Sequence, residues 1–242
     1  MNYYERSDNC LYNPIHVKFN EDLSIGSTFS SSLQYPSFFT LRNSYFNVSQ
    51  NVLNNINSTI KSDVFTFKNG LIDEEIQVND DNNKNNNPEV KYRVITNYAN
   101  TFSKNHILST IVNLMAFVDE KIEYNELNNY NFDLLTGNMF TIGNVFNPNV
   151  DYLKVISNYV NYKISQNKEL YYKDVVVDIP EDQAFYLTDE GIVIYFGVDE
   201  IAPKEFGIPR FTMEYKKFAP YINPRFYCTP ENIMRLKSNY RR

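Results

Sequence analysis

The sequence has few of the residues that define several protein classes. Its 242 residues include only 2 cysteines and 7 glycines, which excludes a disulfide-stabilised scaffold and a collagen-like chain. No apolar run approaches the length of about 18 residues that indicates a transmembrane helix. The abundance of aromatic residues (16%) and hydrophobic residues (43%) excludes intrinsic disorder of the whole chain.

The sequence also lacks an excess of positive charge. Its 23 Lys and Arg residues stand against 29 Asp and Glu residues, which gives a formal net charge of −6. This balance excludes a typical nucleic-acid binder and disfavours adsorption to anionic membranes, because both depend on basic side chains. The same charge suits a basic protein, so the partner class predicted from composition is a protein.

Asparagine is unusually abundant, with 35 residues beside 20 Tyr and only 5 Ala. The codons of Asn, Ile, Lys, Tyr and Phe are rich in A and T, so the composition is typical of an AT-rich genome. An adhesive or coat-like use of the Tyr and Asn side chains is the alternative interpretation.

The residues of catalytic and metal-binding motifs are scarce. The two histidines, His16 and His106, each fall in a predicted strand, and no nucleophile elbow, His-Glu-x-x-His motif, paired Cys-x-x-Cys or P-loop occurs. Together with Cys10 and Cys228 the histidines make a four-ligand zinc set on paper, but their spacing gives it no support. We therefore expect no metal, no cofactor and no enzymatic activity.

Three pairs of adjacent acidic residues complete the search for catalytic groups. They lie at 74–75, 189–190 and 199–200 and are predicted to be solvated turn residues.

Cys10 and Cys228 are predicted to be free thiols in a reducing cytosol, and a bridge between them requires that the two ends of the chain meet.

Hydrophobic periodicity predicts a mixed α+β fold with mainly antiparallel sheets and two principal packing helices. The first helix begins near Asn47 and ends before the turn signal at residues 68–70, and the second begins after Pro148. Predicted strands lie at 15–19, 90–98, 107–118, 122–134, 185–187, 192–196 and 211–215, and a short terminal helix follows Thr229. The polar stretches 24–32 and 79–87 are predicted loops. Five glycines, at 137, 143, 191, 197 and 207, are predicted to occupy turns with positive φ.

Two segments carry a family resemblance. The first is NFDLLTGNMFTIGNVF at 131–146, and the second is FYLTDEGIVIYF at 185–196, which continues into EIAP at 200–203 and Gly207. They resemble the RsiV-like domain of unknown function, which is shared by the extracytoplasmic part of the lysozyme-sensing anti-sigma-V factor RsiV and the non-catalytic part of the peptidoglycan deacetylase PdaC. The stretch from about 35 to 130 resembles the partner domain that usually precedes it.

The resemblance implies an α+β fold and four regions. These are an N-terminal extension (1–30), a PdaC/RsiV-type domain (31–130), an RsiV-like domain (131–222) and a tail helix (223–242). For some relatives it also implies binding of a muramidase or work at the cell wall. It implies no catalytic residues, because the metal-binding catalytic domain of the deacetylase has no counterpart here. The chain departs from the family at Lys204, where an aromatic residue is frequent.

These observations predict a non-enzymatic binding or structural protein. Since the N-terminus has no basic segment followed by an apolar one, the expected location is the cytoplasm, or alternatively the spore surface, reached from the mother cell. An envelope association, as a cell-wall-related hydrolase or a muramidase-binding inhibitor, is the alternative function.

The predicted partner-binding residues are Pro203, Lys204, Glu205, Phe206 and Gly207. In this segment the proline stiffens the chain, the glycine permits a sharp turn, and the phenylalanine places an aromatic ring on an exposed loop. The alternative is that the ring of Phe206 folds back onto the sheet as a lid.

Overall fold

Two sheets and four α-helices are formed by residues 11–40 and 48–227, the part of the chain that the computed structural model describes. In chain order the elements are β1 (Ile15–Ile25), β2 (Phe29–Thr40), α1 (Gln50–Lys84), β3 (Tyr92–Lys104), β4 (Ile107–Val118), β5 (Lys121–Asp133), α2 (Ile142–Val145), α3 (Tyr152–Gln166), β6 (Phe185–Leu187), β7 (Gly191–Tyr195), β8 (Arg210–Glu214) and α4 (Tyr215–Phe218). One sheet has the order β1-β2-β3-β4-β5 and the other has the order β6-β7-β8. The β2–β3 pair is parallel, whereas β1–β2, β6–β7 and β7–β8 are antiparallel. The predicted α+β class, with mainly antiparallel strands and two long helices (α1 and α3), is confirmed.

The described residues divide into two compact units. One comprises Asn100–Thr110 with the described parts of Met1–Asn13 and Asn129–Arg242, and the other comprises Ile111–Asn128 with the described part of Pro14–Ala99. The four regions predicted from the family resemblance remain a prediction. Both cysteines and the predicted helix after Thr229 lie outside the described residues.

Two tight turns connect β3, β4 and β5. Asn105 and His106 have φ values of 56° and 60°, and Asp119 and Glu120 have values of 45° and 65°. Positive φ at both central residues is the signature of the two-residue turn whose twist matches that of antiparallel strands. The prediction that His106 lies within a strand is wrong, because this residue belongs to the first of these turns.

Helix α1 continues well beyond its predicted end. It runs through Lys68, Asn69 and Gly70 and includes the first residues of the stretch 79–87 that was predicted to be a loop. The buried positions Leu71, Glu75 and Asn79 follow one another at four-residue spacing, which keeps one face of the helix against the unit. Tertiary packing along this face therefore overrides the local turn signal.

The predicted loop at 24–32 is also mostly extended. Strand β1 reaches Ile25 and β2 begins at Phe29, so that only residues 26–28 form the connection. The amide of Gly26 donates to the carbonyl of Phe29 across this connection, at 2.8 Å. Four of the five serines in this stretch lie in the paired strands, with Ser24 opposite Ser31 and Ser32 opposite Leu23, and only Ser27 lies in the connection.

Three asparagine side chains each bind both backbone groups of one residue on another segment. Asn57 of α1 accepts from the N–H of Phe38 (2.7 Å) and donates to its carbonyl (3.0 Å). Asn79 does the same for Val90, at 2.7 and 3.0 Å. Asn161 of α3 does so for Val177, at 2.8 and 2.7 Å. Each amide thus takes the place of a neighbouring strand.

Helix α3 begins three residues later than Pro148 would suggest. Its N-cap is Asp151, whose carboxylate accepts from the backbone N–H of Lys154 at 3.2 Å. This capping satisfies one of the amides that every helix leaves unpaired in its first turn. Its buried residues Ile156, Val160 and Ile164 belong to the core beneath the three-stranded sheet.

Strands β6 and β7 of the three-stranded sheet are the most deeply buried strands of their unit. All residues of β6 and β7 are buried, as expected for a strand run that is apolar on both faces. The outer edge of β6 is satisfied by two side chains of zero exposure. Asn131 donates to the carbonyl of Phe185 at 2.8 Å, while the hydroxyl of Ser109 accepts from the N–H of Leu187 at 3.0 Å and donates to Asn131 at 2.6 Å.

The glycines divide into two kinds. Among the described glycines only Gly137 and Gly207 have positive φ, so the prediction for residues 143, 191 and 197 is wrong. Gly191 is required for another reason, since a Cβ there would lie 2.3 Å from the carbonyl oxygen of Met213 on β8.

No helix in the described ranges combines the length and the apolar character needed to cross a lipid bilayer.

We predict that Gly70→Ala stabilises the protein by about 0.5–1 kcal/mol, because an alanine costs less backbone entropy in a helix interior. Gly70 is exposed, and a Cβ there meets nothing within 4 Å. Urea unfolding measures the change. A loss of stability would show that residues 68–70 form a turn rather than helix.

We predict that Phe196→Ala costs about 3–5 kcal/mol of unfolding free energy, since its buried ring packs edge-on against Phe211 at 5.7 Å. Tyr195→Ala should cost a similar amount, because its hydroxyl also donates to Asn129 at 2.7 Å. Tyr162→Ala, at a residue that is 60% exposed, is the control and should change stability by less than about 0.5 kcal/mol. If both variants were as stable in urea as the natural chain, the 195–196 segment would lie at the periphery of the unit.

Candidate partner-binding surface

The loop that joins β7 to β8, residues 196–209, is held at its base and at its centre. At the base, the N–H of Phe196 donates to the carbonyl of Pro209 at 3.1 Å. At the centre, the side chains of Ile201 and Ala202 are buried in the unit. The residues that follow them are therefore presented from a fixed position.

Residues 203–207 form a single tight turn. Lys204–Phe206 is a short 3₁₀ helix in which Phe206 N–H donates to Pro203 at 2.9 Å and Gly207 N–H donates to Lys204 at 3.0 Å. Gly207 ends the turn with φ 68° and ψ −139°. This combination is open essentially only to glycine, because a Cβ would clash with the local backbone.

The turn presents the residues that were predicted to bind a partner. Lys204 and Glu205 are exposed, Pro203 and Gly207 are partly buried, and Phe206 is 52% exposed. Half of the surface of this aromatic side chain is thus accessible to another molecule, while the loop fixes its position. The partner-binding role of these five residues remains a prediction.

A second segment, around Tyr172, lies beside this loop. The N–H of Tyr172 donates to the carbonyl of Ile201 at 3.1 Å, and its hydroxyl donates to the carboxylate of Asp199. Asp199 itself adopts a φ of 68°, which is rare for a residue with a side chain. The adjacent Glu200 carboxylate accepts from the N–H of Gly197 at 2.6 Å and so closes the start of the loop.

The electrostatics of this surface are acidic. The pKa of the Tyr172 hydroxyl is raised. The largest cause is its hydrogen bond to Asp199, and loss of hydration and the negative charges of Asp199 and Glu205 contribute less. A tyrosine hydroxyl is protonated at neutral pH in any case, and the raised pKa extends the alkaline range over which Tyr172 donates to Asp199. We call Tyr172, Asp199, Lys204, Glu205 and Phe206 the acidic loop surface.

Sequence reasoning did not find Tyr172. Its separation from Asp199 is 27 residues, and the hydrogen bond between them depends on how the segment after α3 returns to the β7–β8 loop. Asp199 was noted only as half of a solvated acidic pair, which agrees with its exposure. A tyrosine followed by exposed polar residues carries no local signal for such a position.

The other acidic pairs are engaged in the fold. Glu74 and Glu75 lie in α1 rather than in a solvated turn, and Glu74 accepts from the hydroxyls of Tyr92 and Tyr124, each at 3.0 Å. Asp189 accepts from the buried ammonium of Lys104 at 2.7 Å. No group of three or more His, Cys, Asp or Glu residues suited to a metal ion occurs within residues 11–40 and 48–227.

Comparison with protein families gives one match. Residues 143–216 match the family model described as protein of unknown function (DUF3298). This segment contains α3, the three-stranded sheet and the acidic loop surface. The expectation of a domain of unknown function in the second half of the chain is confirmed at this level. None of the curated proteins compared with the chain matches it.

Two solved structures are similar in fold. A DUF3298-family protein from Bacteroides fragilis NCTC 9343 has a TM-score of 0.60 at 14% identity, and the match covers 93% of this chain and 98% of that one. A DUF3298-family protein from Pseudomonas aeruginosa PAO1 has a TM-score of 0.55 at 10% identity, with 91% and 98% covered. The chain is therefore similar to both in fold over nearly its whole length.

We predict that Gly207→Ala lowers the unfolding free energy by about 1–3 kcal/mol through backbone strain. Overlap with other parts of the protein does not contribute, because beyond the adjoining residues a Cβ at this position meets nothing within 4 Å. Gly70→Ala is the matched control, since it makes the same atomic change in open space and should have the opposite sign. Unfolding in urea measures both, and an unchanged Gly207→Ala variant would show that the turn tolerates another conformation.

Proposed function

We propose that the chain is a non-enzymatic binding protein that holds a basic protein partner on the acidic loop surface. The observation that carries the proposal is the position of Phe206. This aromatic side chain is 52% exposed, yet it stands on a loop whose base and centre are fixed.

The energetics of binding favour such a position. A side chain on a preorganised loop loses little conformational entropy on association, so more of the interaction energy appears as affinity. Aromatic residues dominate the binding energy of interfaces when they are surrounded by groups that exclude water. Here Tyr172 is hydrogen-bonded to the loop at Ile201 and Asp199, and we infer that it and the Pro203 turn contribute to that surround.

The charges around the ring of Phe206 indicate the sign of the partner's charge. Asp199 and Glu205 outnumber Lys204 on the acidic loop surface, and the whole chain carries a net charge of −6. A basic partner would be steered toward this surface, with an association rate that falls as salt is added.

The proposal extends the family resemblance. It takes residues 131–222 as an RsiV-like domain, 31–130 as its partner domain, and 1–30 and 223–242 as flanking segments. The match of residues 143–216 to DUF3298 supports the second-half assignment. The proposed location is the cytoplasm or, by deposition from the mother cell, the spore surface.

We predict that Phe206→Ala weakens capture of the partner by about 10-fold or more, as loss of an aromatic hot spot does. Glu205→Lys should slow association with a basic partner, whereas Lys204→Glu should speed it. The experiment immobilises the full chain, captures proteins from separate vegetative-cell and spore fractions, and quantifies each captured protein across the variants.

Tyr162→Ala is the matched control, because this exposed tyrosine lies on α3 outside the acidic loop surface. A captured muramidase that responds to Phe206→Ala would favour the inhibitor alternative. Unchanged capture by all three loop variants, together with a lowered melting temperature for Phe206→Ala, would show that the loop is structural and that the proposal is wrong.

A further inference from the structure

Strand β1 is an edge strand with an exposed apolar face. It stands at the end of the five-stranded sheet, and β2 is its strand neighbour among the described residues. Val17, Phe19, Leu23 and Ile25 are all exposed, Leu23 by 65% and Ile25 by 93%. Because alternate residues of a strand point to the same side, these four odd-numbered residues share one face, which also carries the exposed Glu21.

Several of the devices that usually protect an edge are missing from β1, although the strand does carry charged side chains such as Lys18. Natural edge strands are commonly short, bulged or interrupted by proline. Strand β1 instead pairs with β2 over eleven residues without interruption, from Ile15 opposite Thr40 to Ile25 opposite Ser30, and it contains neither proline nor glycine. Its outer edge therefore offers a regular row of backbone groups. Within the other unit, by contrast, the edge of β6 is closed by side chains.

The apolar residues toward the two ends of β1 are complementary to each other. If two copies run antiparallel with Asn20 opposite Asn20, Ile15 lies opposite Ile25 and Val17 lies opposite Leu23, while Phe19 lies opposite Glu21, and each pair occurs twice. Apolar residues directly opposite one another stabilise an antiparallel pair. This register also pairs the full length of the strand.

The charges on the other face select the same register. Lys18 lies opposite Ser37 of β2 and takes part in none of the ion pairs found among the described residues. In the register centred on Asn20 it lies opposite Asp22 of the second copy. Asp22 binds Lys68 of its own chain at 3.2 Å, but its side chain is still 42% exposed. A shift that centred the pair on Glu21 would set two like charges against each other.

We propose that β1 is a homodimer interface, in which two copies of the chain pair antiparallel through this strand about a two-fold axis at Asn20. The two five-stranded sheets then join edge to edge. Such an interface is isologous, because each copy contributes the same surface, and it closes after two subunits.

Leu23→Lys tests the interface. It replaces two of the opposed apolar contacts per dimer at a residue that is 65% exposed, so the subunit should remain folded. We expect the dissociation constant to rise by about 10-fold or more, measured by sedimentation velocity of the full chain over a concentration series. The double variant Val17→Glu with Leu23→Lys places Glu opposite Lys and should recover part of the dimer.

Ile76→Lys is the matched control, because Ile76 is a 51% exposed apolar residue on α1. This variant should dimerise like the natural chain. Circular dichroism and melting temperature verify that each variant folds.

Zero-length cross-linking in a mixture of ¹⁴N- and ¹⁵N-labelled chains identifies the register. Lys18 and Asp22 of one chain are separated by four residues of extended strand, roughly 13 Å, which is too far for a direct bond between their side chains. The Lys18–Asp22 products should therefore include some that join a light chain to a heavy one, which a bond within one chain cannot give. A chain that stays monomeric up to its solubility limit, or a dimer that Leu23→Lys leaves unchanged, would overturn the proposal. The first result is also what pairing of β1 with another segment of its own chain would give.

Discussion

The stability of this fold depends on hydrogen-bond partners for backbone groups that are buried without a neighbouring strand. A buried N–H or C=O with no partner costs about 1–3 kcal/mol, so each needs a substitute. The chain supplies side-chain amides. Asn57, Asn79 and Asn161 each bind both backbone groups of a single residue, and Asn131 works with Ser109 along the edge of β6. The abundance of asparagine, whatever its codon-level origin, therefore has a structural use at these positions. The packing of α1 and α3 against their neighbours depends on it.

The sequence was most informative where the signal is local and continuous. Strand β4 was predicted with its bounds, because a β-branched apolar run of that length has few other interpretations. It was least informative in α1, where residues 68–70 and the asparagine-rich stretch both suggested a break. The partners that hold this helix, Tyr92 and Val90, lie on a later segment, so no window around residue 70 contains the stabilising contacts. Tertiary interactions decided the outcome there.

The candidate surface also contains some residues that could be predicted from the sequence and others that could not. The residues of the turn at 203–207 could be chosen from the sequence because proline, glycine and an isolated aromatic residue have local meaning. The structure contains the turn and exposes Lys204, Glu205 and Phe206, while their role in partner binding stays a prediction. Tyr172 and its bond to Asp199 could not be predicted, because they depend on the return of the chain after α3. The self-complementary pattern of β1 can be read in its sequence, yet it has meaning only once β1 is known to be an edge.

The edge of β6 also has a consequence for how the chain folds as it is synthesised. Ser109 and Leu187 are separated by 78 positions, and Asn131 and Phe185 by 54. On the ribosome, the segments that carry Ser109 and Asn131 emerge long before β6 exists, and they must wait with their polar groups exposed to water. Contacts of such sequence separation form late, because closing a long loop is entropically costly. The unit that contains the three-stranded sheet can therefore complete its core only after β8 has left the exit tunnel, and until then its apolar strands are open to chaperones and to other nascent chains.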